Sequence, residues 1–254
     1  MKILGIDIGG TGIKGAPVDT KSGSLLDERY RLPTPSPAAP DAVISTVKEL
    51  VDYFHWKGPI GCGFPAAVKD DTVMTAANID PSWIGINAAE RISTQTGCPT
   101  HLINDVDAAG LAEMKFGAGK KNKGIVLVVA VGTGIGSSLF TKGRLVSNTE
   151  LGHVRIDGER TGEQIASNIV RKEENLDWEA WAQRFNLYLK RLEELFWPDL
   201  VIVGGGISKY YEEFEPYLES KFPTKRAMLL NNAGIVGAAC SAKGIAKKFK
   251  RLTK

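Results

Sequence analysis

Cysteine is scarce in this chain and never paired in sequence: Cys62, Cys98 and Cys240 are all it has. Without a CxxC spacing, neither a disulfide framework nor a thiolate zinc site is expected, and the three are read as small buried hydrophobes. A run of about 18 apolar residues, the length a membrane-spanning helix needs, is also missing. An apolar strand pattern starts at Ile3, which leaves no room for a secretory leader. The expectation is a cytoplasmic protein with no membrane partner. An excess of one charge is lacking too, since 32 Lys and Arg against 29 Asp and Glu leave +3. That is too little to call for nucleic acid as a partner. No GxxxxGK[ST] stretch occurs, so a P-loop nucleotide site is ruled out.

What is present is ordinary in bulk and unusual in arrangement. A chain of 254 residues with 43% hydrophobic and 24% charged positions can build two lobes with real cores. Gly10-Thr11-Gly12-Ile13 returns as Gly132-Thr133-Gly134-Ile135, each time after an apolar run, Ile3–Ile8 and Ile125–Val131. This reads as one strand–glycine-turn–strand unit used twice, and backbone amides in such turns can hold phosphate. The copies differ where it matters electrostatically: Asp7 in the first strand corresponds to Val129 in the second. Lysines and arginines cluster at 120–123, 142–144 and 209–226, a pattern that a solvated face or a polyanion-binding surface would share.

The spacing predicts an antiparallel meander from Lys2 to Tyr30, a proline-rich extended loop Leu32–Pro40, and a helix capped by Asp41. Further strands are expected at Ile60–Phe64 and His101–Asn104, with a helix opening at Asp105. The second strand pair at Ile125–Phe140 is followed by a long amphipathic helix, Leu176–Leu195. A buried strand Leu200–Val203 runs into Gly204-Gly205-Gly206-Ile207-Ser208, and one closely packed helix is expected over Asn231–Phe249. Trp178 and Trp181 share a face of the long helix and are read as packing, with a docking surface as the alternative. Strand meanders with intervening helices, occurring twice, indicate an α/β protein of two similar lobes with a central cleft. The expected division is 1–105 for the N-terminal lobe, completed by a C-terminal helix near 240–254, and 106–239 for the other.

Gly10-x-Gly12-x-x-Gly15 spells the dinucleotide fingerprint, but strand rather than helix follows it, so that reading is rejected. The glycine amides of this hairpin, with Thr11 and Lys14, can surround a phosphate instead. Asn104-Asp105 lies at a strand end; Asp105 reads either as a helix cap or as a general base taking a proton from a sugar hydroxyl, with Asn104 orienting the sugar. Glu150-Leu151-Gly152-His153 suits bidentate recognition of vicinal hydroxyls.

Taken in order, Leu4–Lys14, Asn104-Asp105, Gly132–Gly136, Glu150–His153 and Gly204–Ser208 resemble the motif set of the ROK sugar kinases. Their fold is actin-like and ribonuclease H-like, and the similarity spans the whole chain. Most members carry a cysteine cluster after the Glu-x-Gly-His motif that binds structural zinc; Val154–Gly162 has no cysteine, so no zinc is expected. Glu163-Gln164-Ile165-Ala166-Ser167, Asp177–Ala182 and Pro198-Asp199-Leu200 are similar to the polyphosphate glucokinase branch instead. The resemblance implies Asp105 as catalytic base and Asn78, Asn104, Asp105, Glu150, His153 and Glu163 as sugar ligands. It implies phosphate contacts at Asp7, Gly9, Gly10, Thr11, Gly12, Lys14, Thr133, Gly134, Gly205 and Gly206, with Asp7 holding Mg²⁺ through water. The implied activity is phosphoryl transfer from inorganic polyphosphate to the 6-hydroxyl of glucose, with an ATP-dependent hexokinase as the alternative and a homodimer as the assembly. Two other classes compete with these: a sugar-sensing regulator, which needs a DNA-binding segment ahead of the first strand, and a catalytically dead sugar-binding protein. The complete set of candidate groups disfavours the second.

Overall fold

The computed structural model describes residues 1–77 and 79–252. Its chain divides into two compact units, one of Met1–Ala112 with the chain from Asn232 onward, the other of Glu113–Asn231. The expected limits, at 105 and 240, lie a few residues from these. Among the described residues no helix is long and apolar enough to cross a membrane.

In the first unit, β1 (Lys2–Ile8) and β2 (Ile13–Asp19) form the glycine hairpin, and β3 (Ser24–Leu25) and β4 (Tyr30–Leu32) both return to pair with β2. The helix α1 (Pro40–Tyr53) follows. It starts from Ala39 with Pro40 in its first turn, so Asp41 is a first-turn residue and not the expected cap; a proline fixed near helical φ starts the helix without one. Next come β5 (Ile60–Phe64), the small hairpin β6 (Val68–Lys69) and β7 (Thr72–Val73), then α2 (Ala88–Thr96), β8 (Thr100–Asn104) and α3 (Asp105–Phe116). The sheet order is β3-β2-β1-β5-β8, with β1, β5 and β8 parallel. Ile3, Leu4, Ile6 and Ile8 are fully buried, as a strand covered on both faces demands.

The second unit repeats the order. β9 (Ile125–Val131) and β10 (Ile135–Thr141) form the second hairpin, β11 (Arg144–Val146) adds to β10, and after α4 (Gly162–Ala166), α5 (Asn168–Glu173) and α6 (Trp178–Phe196), β12 (Leu200–Gly204) lies parallel to β9. After the short α7 (Tyr211–Phe214), the strand β13 (Thr224–Arg226) completes the sheet β11-β10-β9-β12-β13. Trp181, Phe185, Tyr188, Leu189 and Leu192 of α6 pack under it with Leu127, Val129 and Val201. Trp181 is fully buried and donates its indole N–H to the Ala166 carbonyl, while Trp178 packs on Tyr210 and Phe214. Both are packing residues.

The chain ends in two helices where one was expected, α8 (Ala233–Ser241) and α9 (Lys243–Leu252), broken at Ala242. α8 lies directly on β1 and β5. A Cβ added at Gly5 would strike the Ile235 carbonyl, and one at Gly61 the Ala238 carbonyl. Glycines at these two points let a helix backbone touch the strands.

Asp71 fastens β8 from the side: its carboxylate accepts the Leu102 N–H at 2.7 Å and sits 2.8 Å from His101 Nδ1. Burial pushes its pKa up, but the His101 and Leu102 hydrogen bonds outweigh this and the net shift is downward. A depressed folded pKa means stability that is full above the unfolded carboxylate range and lost as pH falls through the folded value. Asp71→Ala should therefore cost about 1 kcal/mol near neutrality. The gap between the melts of the two proteins should start to close as pH falls below about 4 and go on narrowing at lower pH, and a constant gap down to pH 2 would refute this.

Candidate active site

At the first hairpin the Gly9 N–H bonds the Gly12 carbonyl at 3.1 Å, closing a tight turn that leaves Gly10 and Thr11 exposed. Two side chains that sequence reading missed reach it. Thr34 Oγ1 donates to the Gly9 carbonyl at 2.5 Å, and Arg31 Nη2 donates to the Thr11 carbonyl at 2.7 Å. Asp7, one residue from the end of β1, pairs with Lys14 directly across the hairpin, Oδ2 to Nζ at 3.0 Å. The same carboxylate faces the first turn of α8, where a Cβ on Gly234 would come within 2.5 Å of it. Helix N-termini favour negative charge.

Asn104 and Asp105 stand where β8 passes into α3. The Asn104 side-chain oxygen accepts the N–H groups of Val106 and Asp107, both at 2.9 Å, and its amide donates to the Ala66 carbonyl at 3.1 Å. Asn104 is thus the helix cap, a duty that the sequence had left open for Asp105. The Asp105 carboxylate accepts, through Oδ1, the N–H of its neighbour Val106 at 2.9 Å. Asp7, Gly63 and Ile103 are aligned across β1, β5 and β8, so Asp7 and Asp105 emerge at the same, carboxyl end of three parallel strands. Two strand spacings put the Asp7 and Ile103 backbones about 10 Å apart; ligands of open α/β sheets gather at this end.

In the second unit Gly132 N–H bonds the Gly134 carbonyl at 2.9 Å, with Thr133 exposed. Glu163 reaches this turn: its Oε2 accepts the Ile135 N–H at 3.3 Å, and its Oε1 lies 3.5 Å from His153 Nε2. A Cβ on Gly134 would stand 2.5 Å from that carboxylate, so glycine here makes room for Glu163. Thr161 and Gln164 form a capping box that starts α4 and aims Glu163. Gly152 packs against the Ile135 carbonyl, which seats the Glu150–His153 segment beside the same turn. Glu150 and His153 are exposed there. Gly205 has φ +76° and its would-be Cβ points into the Val131 backbone, so only glycine fits; Gly206 beyond it is open and exposed.

Asn78 lies outside the described residues. Of the basic clusters, Lys221 pairs with Glu193 at 3.6 Å and Arg226 with Glu212 at 3.0 Å, which neutralises part of the 209–226 group. Burial, with the Asp7 charge added, pushes the Cys62 thiol well above its ordinary range. Cys62 is a packed, protonated thiol and no nucleophile.

The family model described as "ROK family" matches residues 3–176. The chain belongs to the ROK family. It is 46% identical to the polyphosphate glucokinase of Mycobacterium tuberculosis over 94% of this chain and 90% of the relative. Among solved structures, the inorganic polyphosphate/ATP-glucomannokinase of Arthrobacter sp. strain KM superposes with a TM-score of 0.91 at 44% identity, covering 96% of this chain and 99% of that one. A ROK family glucokinase from Streptomyces griseus, solved with glucose and AMPPNP, shares the fold with a TM-score of 0.82 at 24% identity, over 96% and 100% of the chains. The fold of this ROK chain is accordingly the actin-like, ribonuclease H-like one, and the two hairpin sheets are its repeated half.

A divalent metal is the usual companion of phosphoryl transfer. Among the described residues no cluster of three His, Cys, Asp or Glu side chains could enclose an ion. Asp7, ion-paired with Lys14 beside the first glycine turn, is a carboxylate of the kind that a divalent ion keeping most of its waters takes as one ligand.

Proposed function

We propose that this ROK protein is a polyphosphate glucokinase, moving a phosphoryl group from inorganic polyphosphate to the 6-hydroxyl of glucose. The observation that carries the reading is the match to the mycobacterial polyphosphate glucokinase at 46% identity through 94% of the chain. The site chemistry supports it. Asp105, next to the capping Asn104, takes the proton of the attacking hydroxyl. Asn104 (through the amide N–H that the cap leaves over), Glu150, His153 and Glu163 hold the sugar, together with Asn78. The turns at Gly9–Gly12 and Thr133-Gly134, with Lys14, Gly205 and Gly206, stabilise the phosphoryl oxygens. Asp7 would hold Mg²⁺ through water, and the ion supplies positive charge to the donor oxygens. A cytoplasmic homodimer belongs to the same proposal, on the family resemblance.

The second reading, an ATP-dependent ROK hexokinase (glucokinase or mannokinase), is less favoured and keeps one specific support: the Arthrobacter enzyme is named for both donors and both sugars. Initial rates with ATP and with polyphosphate of several lengths, at saturating glucose, separate the two. Activity that rises with chain length and exceeds that with ATP is the expected result. Activity with ATP alone overturns the polyphosphate assignment.

A further inference from the structure

Three charged side chains form a row across the first sheet, and the chemistry above uses only two of them. In the strand register Asp7 is opposite Lys14, and Lys14 is opposite Arg31. Directly opposed residues share a face of the sheet, and like charges so placed repel. The single carboxylate serves Lys14 at 3.0 Å. Arg31 has no ion pair among the described residues; its guanidinium instead crosses the hairpin and donates Nη2 to the Thr11 carbonyl at 2.7 Å. The crossing explains Gly12, whose φ is not positive and whose missing side chain is a matter of space. A Cβ there would sit 2.6 Å from the guanidinium carbon. A surplus positive charge is therefore held in a fixed place, beside the exposed amides of Gly10 and Thr11.

We infer that Arg31 and the turn it crosses form a donor subsite for a condensed phosphate chain, gripping a phosphate adjoining the one that is transferred. The inference rests on the phosphoryl-transfer reading above and extends it to the donor. A guanidinium has five N–H donors; one is spent on Thr11, and its planar fork matches two oxygens of one phosphate. The tail of a nucleotide and inorganic polyphosphate share this chemistry, so the test carries both.

Arg31→Ala should raise KM for the donor by roughly ten- to a hundredfold, leaving KM for glucose and the thermal midpoint unchanged. Arg31→Lys, which keeps the charge and loses the fork, should recover part of the difference. Gly12→Ala displaces the guanidinium from its seat and should raise donor KM too, with little further rise when combined with Arg31→Ala, because both act on one contact. Donor KM within twofold of the native value for polyphosphate and for ATP would overturn the subsite. So would a parallel rise in glucose KM with a lowered melting temperature, which would make Arg31 a brace of the turn alone. If the native protein uses only ATP, the polyphosphate reading fails and the subsite stands or falls on the ATP data. If neither donor is turned over, calorimetric titration of the native chain and of Arg31→Ala with tripolyphosphate decides the matter: weaker binding by the variant supports the subsite, and equal affinities sink it.

Discussion

Asp105→Asn is expected to lower kcat on the order of a thousandfold, about 4 kcal/mol of barrier, while glucose still binds. The size follows from the division of labour at the β8–α3 junction. Asn104 accepts two N–H groups of the helix's first turn, so the fold does not depend on the Asp105 carboxylate for its cap. The amide keeps the shape of Asp105 and can still accept from Val106, but it cannot take a proton. Steady-state kinetics at saturating glucose and donor, with glucose binding followed separately by calorimetry, check this. Largely retained kcat with sugar bound would remove Asp105 from the chemistry. Loss of sugar binding with a lowered melting point would assign it to the scaffold.

Gly61→Ala should be one of the more damaging single methyl groups that can be added, destabilising the protein by roughly 2–4 kcal/mol. The new Cβ meets a backbone carbonyl, that of Ala238 in α8, and not a side chain that could turn aside. Either α8 lifts from β1 and β5 or the sheet bends, and a domain's whole stability is only about 5–15 kcal/mol. Because the first turn of the same helix abuts Asp7, activity should fall along with stability. Urea unfolding of the variant should show a lower midpoint with little change in slope; a native midpoint would contradict the close packing.

The two glycine hairpins, the central strands and the long helix were legible because each leaves a local mark: a turn motif, a continuous apolar run, a 3.6-residue period. The residues that escaped were those whose partners are set by register. Arg31 is 20 residues from Thr11 in sequence and reaches it only because β4 returns to β2, a pairing that no spacing encodes. Thr34, in a segment legible only as proline-rich loop, reaches Gly9 in the same way. The break between α8 and α9 was hidden by alanine and glycine, which carry no amphipathic signal in the first of the two. Asn104 and Asp105 were found as a pair, but which of them caps the helix is a matter of side-chain direction, and the sequence is silent on that. The role of Gly134 in admitting Glu163 is of the same kind.

Glu163 has one oxygen on the second Gly-Thr-Gly turn and the other facing His153. A carboxylate shared in this way acts as a thermodynamic link. In the proposed roles of its two neighbours, whatever the acceptor does to the charge or angle of Glu163 is passed to the Ile135 amide, and the donor acts back on the acceptor through the same group. Linkage makes the two effects equal in size.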